Sequence, residues 1–380
     1  MRIILFTGKG GVGKTTISSA TGAYLAATGK KVLVLSVDPA HSLSDVLEVD
    51  VPPEPKEIAK NFFAQEIDVY YSVERFWGKL KEYLKSLLKW QKLDEVKAEE
   101  LSILPGMEEI SCFLWINKHY EDGLYDTIIV DSAPTGETLR LLSLPDGLSW
   151  WVSKFLPLHR RIVKIVRPAA KMVTDMPLPE DETYDAMEEL FRQVYNLYYT
   201  LQNPDISSIR LVTNPEKMVI KETEKAYTYL HLFGFPVDAV IINKIASEKD
   251  PFYETQKKYI DHIIRSFEPT PIITVYNRYE EVLGFEKLVE LGRSIYQDKS
   301  PDEVLYRDKP FEIVESNGYF TLKILLKNPP EGKLEIYQKS EDLIIKIGNY
   351  KKHFYLPRAL LNRELVKATL KDSKLEVMFR

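Results

Sequence analysis

The nine residues Gly8-Lys9-Gly10-Gly11-Val12-Gly13-Lys14-Thr15-Thr16 constrain this chain more than any other stretch. They follow Ile3 to Thr7, a short apolar run that predicts a buried strand, and precede a helical pattern over 15–28 closed by Gly29. Strand, glycine loop and helix, in that order, separate a phosphate-binding loop from a chance match to the GxxxxGK(S/T) pattern. The glycines let successive backbone N–H groups turn inward around phosphate oxygens, and the helix N-terminus adds positive potential. Lys14 is placed to reach β- and γ-phosphates and the Thr15 hydroxyl to ligate Mg2+, so Gly8 through Thr16 form a candidate nucleotide site.

The length, 380 residues, predicts one large domain with an appendage, or two domains, and 44% hydrophobic residues supply a sizeable core. A net charge of −5 argues against binding nucleic acid or an anionic membrane through bulk charge. One cysteine, Cys112, leaves no intrachain disulfide and fits a reducing cytoplasm. The N-terminus opens on a strand rather than a leader, and no run of about 18 uncharged apolar residues predicts a transmembrane helix. The loop is not repeated, so one chain carries one nucleotide site.

Val32 to Ser36 predicts a second buried strand, delivering Asp38-Pro39-Ala40-His41-Ser42-Leu43-Ser44-Asp45 beside the loop. That is the position of a nucleotide-sensing switch, with Asp45 a candidate to orient the attacking water and Asp38 a candidate partner of Mg2+. Equally, Asp38 and Ser42 suit a turn and a helix cap. Thr127 to Asp131 is a further buried strand with an acid at its C-terminal end. Asp131 there is placed to hold Mg2+ through water, and Gly136 to turn an N–H toward the γ-phosphate. Strands at 208–213 and 237–243, separated by a helix over 215–233, give the βαβ rhythm of a parallel sheet. Asn243 ends the second of these strands, and its amide has the donor and acceptor needed to read adenine. A helix over 253–267, a strand over 272–275 and a helix over 284–296 complete the block, and residues 277–281 are placed to close over the base.

A short strand is expected within 63–70. Helical spacing of Phe76, Leu80, Leu84 and Leu87 predicts one amphipathic helix over 72–90, packed into a core by default, and another is expected over 106–120. From Leu141 to Met176 apolar residues, among them Trp150, Trp151, Phe155, Leu158, Ile162, Ile165, Val166, Met172 and Val173, interleave with Lys154, Arg160, Arg161, Lys164, Arg167 and Lys171. Core burial is the default reading. A wall of an apolar groove for a helical client is the alternative. Beyond Pro310 the texture becomes alternating, and short strands separated by Asn317-Gly318, by 329–332 and by Gly348-Asn349 predict a small all-β sandwich.

The motifs KGGVGKTT, DPAHSLSD, PGMEE, DSAPTGETLRLLSLP, PEKMVIKETEKA and NK followed by TVYNRYEEVLG resemble, in order, the arsenical pump-driving ATPase family. That family includes the tail-anchored-protein targeting ATPases of the guided-entry pathway. The resemblance spans about residues 1–300. It implies an α/β P-loop NTPase, with a mostly parallel sheet flanked by helices and a helical insert around 72–120 and 141–200. It also implies ATP and Mg2+ as ligands and a homodimer that opens and closes with the nucleotide. Lys9 matches the early lysine of the deviant Walker A loop, which in that class crosses to the partner's nucleotide and so joins Lys14 and Asp45 as a catalytic candidate. The family's water-orienting aspartate falls on Asp45, its Mg2+-associated aspartate on Asp131 and its adenine-contacting asparagine on Asn243. Residues 310–380 resemble the α-crystallin (small heat-shock) domain that some members carry.

The departures are informative. Targeting members place a Cys-x-x-Cys pair near the position of 247–253, where this chain has none, so a zinc-clasped dimer is not expected. Thiolate-dependent metalloid activation and a bridging iron–sulfur cluster each need more than Cys112. The expectation is therefore a cytoplasmic, Mg2+-dependent ATPase that acts as a dimeric chaperone or targeting factor for hydrophobic helical segments, with a possible membrane receptor and no nucleic acid. Alternatives are a MinD/ParA-type positioning ATPase or a holdase working through the C-terminal β-domain, with an arsenite-pump ATPase less favoured.

Overall fold

The computed structural model describes residues 1–38, 42–92, 106–307, 309–316, 318–327, 334–339, 342–348, 350–356, 360, 363–371 and 373–380, and excludes the side chains of 147, 149–151, 170–172 and 355. The expected switch residues Pro39 to His41, the Pro105 of PGMEE, and the turn residues Asn317, 329–332 and Asn349 lie outside the described residues, as do the side chains of Trp150, Trp151 and Met172. The described residues group into two compact units: Met1–Glu66, Tyr125–Ser143 and Thr200–Arg380, and Ile67–Leu124 with Leu144–Tyr199.

The first unit is built on β1 (Arg2–Thr7), β2 (Val32–Ser36), β3 (Lys56–Ala59), β4 (Phe62–Glu66), β5 (Thr127–Asp131), β6 (Ser207–Thr213), β7 (Val237–Ile245) and β8 (Ile272–Tyr276). Their order across the sheet is β3-β4-β2-β5-β1-β6-β7-β8, parallel throughout except for β3 on β4. The central strands read as unbroken apolar runs because a parallel sheet is covered on both faces. Ile3, Ile4, Leu5 and Phe6 are each at most 1% exposed, which shows both faces of β1 buried. On one face Ile4, Phe6, Val32, Val34, Ile129 and Ile241 form a common core with α1 (Lys14–Ala27) and, through Leu288 and Leu291, with α11 (Phe285–Tyr296).

The remaining helices of this unit are α2 (Ser42–Leu47), α9 (Lys217–Phe233) and α10 (Tyr253–Phe267). β3 was not expected from the sequence, and α2 places Asp45 on a short helix rather than on a loop.

Residues beyond 310 form two antiparallel sheets, β14-β15-β10-β9 and β11-β12-β13. The strands are β9 (Phe311–Ser316), β10 (Tyr319–Leu325), β11 (Leu334–Lys339), β12 (Asp342–Ile347), β13 (Tyr350–Tyr355), β14 (Leu365–Lys371) and β15 (Lys374–Phe379). Alternate residues Leu322 and Ile324 on β10 and Leu375, Val377 and Phe379 on β15 are buried, the period-two signature of one-sided strands, while β12 buries Leu343, Ile344, Ile345 and Ile347. This domain packs on α9: the Tyr229 and Tyr350 rings lie 4.1 Å apart, and the Lys352 ammonium sits 5.7 Å from the Phe233 ring.

The second unit is helical. It holds α3 (Val69–Phe76), α4 (Gly78–Trp90), α5 (Met107–Asp122), the end of α6 (Thr135–Trp150), a π-helical turn (Trp151–Phe155), α7 (Leu156–Val173) and most of α8 (Asp181–Gln202). The single helix expected over 72–90 is two, broken at Trp77. There the indole is 5% exposed and donates to Ser111 Oγ at 3.1 Å, while Trp115 of α5 donates back to Ser72 Oγ at 2.9 Å. Buried indoles need such acceptors, and the break meets that need. Leu80, Leu84 and Leu87 are only half-buried, so the stripe on α4 is not the fully packed core its spacing suggested.

Candidate active site

Parallel register brings three loops out at one edge of the sheet. Phe6 is level with Asp131, and Asp131 with Ser36, so the glycine loop, Asp131 and Asp38 emerge together at the strands' C-terminal ends. Ligands of open α/β sheets bind at this edge, where the strand order reverses.

The glycine loop is held against β6 and β7. An ideal Cβ on Gly8 would stand 2.2 Å from the Val212 carbonyl oxygen, so only glycine lets the loop leave β1 here. Gly13, at φ 92°, caps α1, and a Cβ there would meet the Asn243 amide nitrogen at 2.5 Å. The Thr135 N–H donates to the Gly8 carbonyl at 3.2 Å, which ties the start of α6 to the same loop. Lys14 is 6% exposed, and Val12 is fully buried.

Asp131 is fully buried, and neither carboxylate oxygen meets a hydrogen-bond donor. Burial pushes its pKa up to about 6, an effect only partly offset by the nearby Thr15 and Ser18 hydroxyls and the Lys14 ammonium. A buried carboxylate so weakly compensated is costly, and a cation held beside it removes the cost. The Thr15 hydroxyl, 3.0 Å from that of Ser42, is the other oxygen donor at this point. The donor set therefore fits a hard, oxygen-seeking cation such as Mg2+. The Thr135 hydroxyl is a second buried group without a partner at the same edge.

Asp45 lies exposed one helical step from Ser42, on the same face of α2. That helix is gripped by Glu66 at the end of β4, whose carboxylate accepts from the Ser44 N–H at 2.9 Å and from the Ser44 hydroxyl at 2.8 Å. Glu66 carries no motif, and the sequence reading missed it. Asp38 stands within electrostatic range of Asp131, and Gly136 lies in the first turn of α6. Lys9 is not drawn into this cluster. Its ammonium faces Glu222 of α9 at 3.9 Å, with both side chains 37% exposed.

The Asn243 amide nitrogen donates to the Val12 carbonyl at 2.8 Å, which fixes the amide's orientation and leaves its oxygen as the available acceptor. Beside it a cavity of about 160 Å³ is lined by Gly13, Thr16, Asn243, Tyr276, Asn277 and Arg278. The expected base-closing segment therefore does border a cavity next to the loop. No group of three or more His, Cys, Asp or Glu side chains among the described residues is arranged to hold a metal ion.

Residues 1–297 match the family described as anion-transporting ATPase, and residues 317–379 match the HSP20-like domain found in ArsA. A protein of Aquifex aeolicus, named as an arsenical pump-driving ATPase, is 40% identical over 99% of each chain. One of Chlorobaculum tepidum under the same name is 37% identical over 100% of this chain and 96% of its own. The ATPase ASNA1 homolog 1 of Paramecium tetraurelia is 27% identical over 79% of this chain and 94% of its own.

Proposed function

The chain belongs to the anion-transporting ATPase family, its activity is the hydrolysis of ATP to ADP and phosphate, and from that premise we propose that it is a dimeric, Mg2+-dependent switch that captures hydrophobic helical polypeptide segments. Gly8 to Thr16 bind the phosphates through backbone N–H groups, with Lys14 countering charge on the β- and γ-phosphates. Thr15 and, through water, Asp131 would hold Mg2+, with Asp38 as a further partner. The metal, when bound, neutralises charge that builds on the phosphate oxygens. Asp45 orients the water, Gly136 supplies an N–H toward the γ-phosphate, and the Asn243 oxygen accepts from the adenine amine. Lys9 leaves Glu222 and reaches the partner's nucleotide when two chains close.

One observation carries the client reading. On α7, Leu158, Ile162, Ile165 and Val166 recur at helical spacing and are 47–78% exposed, while Val163 on the other side is buried. Of the two readings of 141–176, core burial does not hold on that face, where these four side chains are exposed. An apolar helical stripe held in water is the surface an amphipathic or apolar helix docks against. We propose that the helical unit presents it, that residues 1–300 are the ATPase domain and 310–380 an accessory β-domain, and that the protein works in the cytoplasm, handing its client to a membrane receptor without binding nucleic acid. No helix among the described residues is long and apolar enough to cross a membrane itself.

The relatives' names offer a second reading, an ATPase driving an arsenical pump. Metalloid binding wants several soft thiolates. This chain has the single Cys112, buried, with its thiol pKa driven up by that burial.

The deciding experiment traps Asp45→Asn with Mg·ATP and asks whether a synthetic apolar tail helix co-purifies. Capture that depends on ATP and is lost with Ile162→Asp and Ile165→Asp supports the switch. Stimulation of the wild type's ATP turnover by arsenite or antimonite, with no capture by Asp45→Asn, replaces it with the pump reading.

A further inference from the structure

We infer that Lys244 is a positioning residue of the phosphate loop, holding the Gly11 carbonyl turned away from the space the phosphates take while the Val12 N–H of the same peptide donates to the Lys9 carbonyl at 3.5 Å. The inference rests on the ATP-site reading above. It begins with an irregularity in β7. The β7–β8 register slips between Ile242 and Ile245, and Lys244 within the slip has φ 57°, a left-handed conformation that residues with side chains adopt rarely. In a regular strand, Asn243 and Lys244 would point to opposite faces. A bulge re-aims side chains, and this one turns both residues to the same target.

The Asn243 amide donates to the Val12 carbonyl at 2.8 Å, and the Lys244 ammonium donates to the Gly11 carbonyl, also at 2.8 Å. Two consecutive carbonyls of the loop are thus held from outside by two consecutive side chains of β7. The bulge is itself supported. Gln256 of α10 accepts from the Ala246 N–H at 2.7 Å and donates to the Lys244 carbonyl at 3.3 Å, catching backbone groups that the ladder releases.

The consequence for phosphate binding follows from peptide geometry. In a trans peptide the carbonyl and the next residue's N–H point in opposite senses. A Val12 carbonyl turned outward to Asn243 sends the Gly13 N–H inward. A Gly11 carbonyl turned outward to Lys244 cannot swing into the loop and set its oxygen against a phosphate. Gly11 has φ 80°, and a glycine has no side chain of its own to prevent that flip. An ammonium is a strong partner for a carbonyl, and this one adds a positive charge behind the loop at the same time.

The test compares Lys244→Gly, which removes the ammonium and suits the left-handed backbone, with Lys244→Arg, which keeps a cationic donor. Each is titrated with Mg·ATP and with adenosine, which has no phosphate, beside the wild type and Lys14→Ala. Lys244→Gly is expected to weaken ATP about tenfold, to leave adenosine within about twofold, and to unfold no earlier than the wild type. Lys244→Arg is expected to recover most of the ATP affinity. Wild-type ATP affinity in Lys244→Gly, equal losses for ATP and adenosine, absence of rescue by arginine, or an ATP loss that tracks a lowered unfolding midpoint would each overturn the positioning role. If Lys14→Ala binds ATP as the wild type does, the phosphate-loop reading itself falls, which is a different result from failure of the Lys244 variants alone.

Discussion

Thr15 and Ser42 share a hydrogen bond of 3.0 Å between their hydroxyls, which links the first turn of α1 to the start of α2. At its other side α2 is tied to β4 through Ser44 and Glu66. The helix that carries Asp45 has six residues, too few to be stable alone, and is held in place by these side-chain contacts, by burial of Leu43 and Leu47 in the core and by the Gly284 N–H, which donates to the Val46 carbonyl at 2.9 Å.

Glu66→Ala removes one of those contacts and leaves the Ser44 N–H and hydroxyl without their acceptor. Stability should fall by about 1–3 kcal/mol. If the glycine loop sets ATP affinity and Asp45 orients the water, as proposed, affinity should stay within about threefold while turnover falls at least tenfold because the helix carrying Asp45 is loosened. Equilibrium titration, steady-state phosphate release and hydrogen exchange over 42–47 check the three parts separately. Unchanged turnover with faster exchange would show that Asp45 does not act from α2.

Asp131→Asn should trade function for stability. The folded carboxyl has its pKa raised from 3.8 to about 6, chiefly by burial. A raised folded pKa means the favourable, protonated state holds its full contribution below pH 3.8 and loses it as pH rises through about 6. At pH 7.5 the ligand-free protein therefore carries a penalty of about 3 kcal/mol at most. Asparagine removes the charge, so denaturation midpoints without ligand should rise at pH 7.5 and change little at pH 4. The added stability that Mg·ATP confers on the wild type should disappear.

Much of this architecture is legible in sequence because parallel strands buried on both faces are continuous apolar runs. Val32–Ser36 and Thr127–Asp131 can be bounded from their composition, and Tyr253–Phe267 from its helical period. The glycine loop is legible because its backbone geometry admits few residue types. What periodicity cannot show is set by neighbours distant in the chain. Trp77 breaks a helix in the same neighbourhood where its indole meets Ser111, and Glu66 matters because Ser44 folds onto it. Strand alternation assigns Lys244 to the face opposite Asn243, and only the bulge reverses that. The spacing on α7 marks an apolar face without saying whether protein or water covers it.

His119 gives the helical unit a pH dependence of its own. It is 2% exposed on α5, stacked on Trp115 with ring centroids 5.5 Å apart. Burial first, then the Lys118 and Arg75 charges, lower its pKa from 6.5 to about 4, with Asp122 opposing. A depressed folded pKa means the neutral ring contributes fully above pH 6.5, and the contribution is lost as pH falls toward 4. The loss amounts to about 3 kcal/mol at most. His119→Gln should flatten urea-denaturation stability between pH 6.5 and 4 by that amount. Equal slopes in wild type and variant would assign the acid sensitivity to other groups.

The two sides of α7 should respond oppositely to the same substitution. Val163 is 7% exposed, and Val163→Asp forces a carboxylate into an apolar site at a cost of several kcal/mol, enough to unfold the helical unit. Ile162 and Ile165 are 51% and 78% exposed, so aspartate at both should shift stability by no more than about 1 kcal/mol. If the exposed stripe receives the client, this stable double variant keeps its ATP affinity and basal turnover but loses crosslinking to an apolar helical peptide. The peptide's burial on Leu158, Ile162, Ile165 and Val166 is what supplies its affinity, and two buried carboxylates oppose it directly. A double variant that folds, turns over ATP and still crosslinks at the wild-type yield would move the client surface off α7.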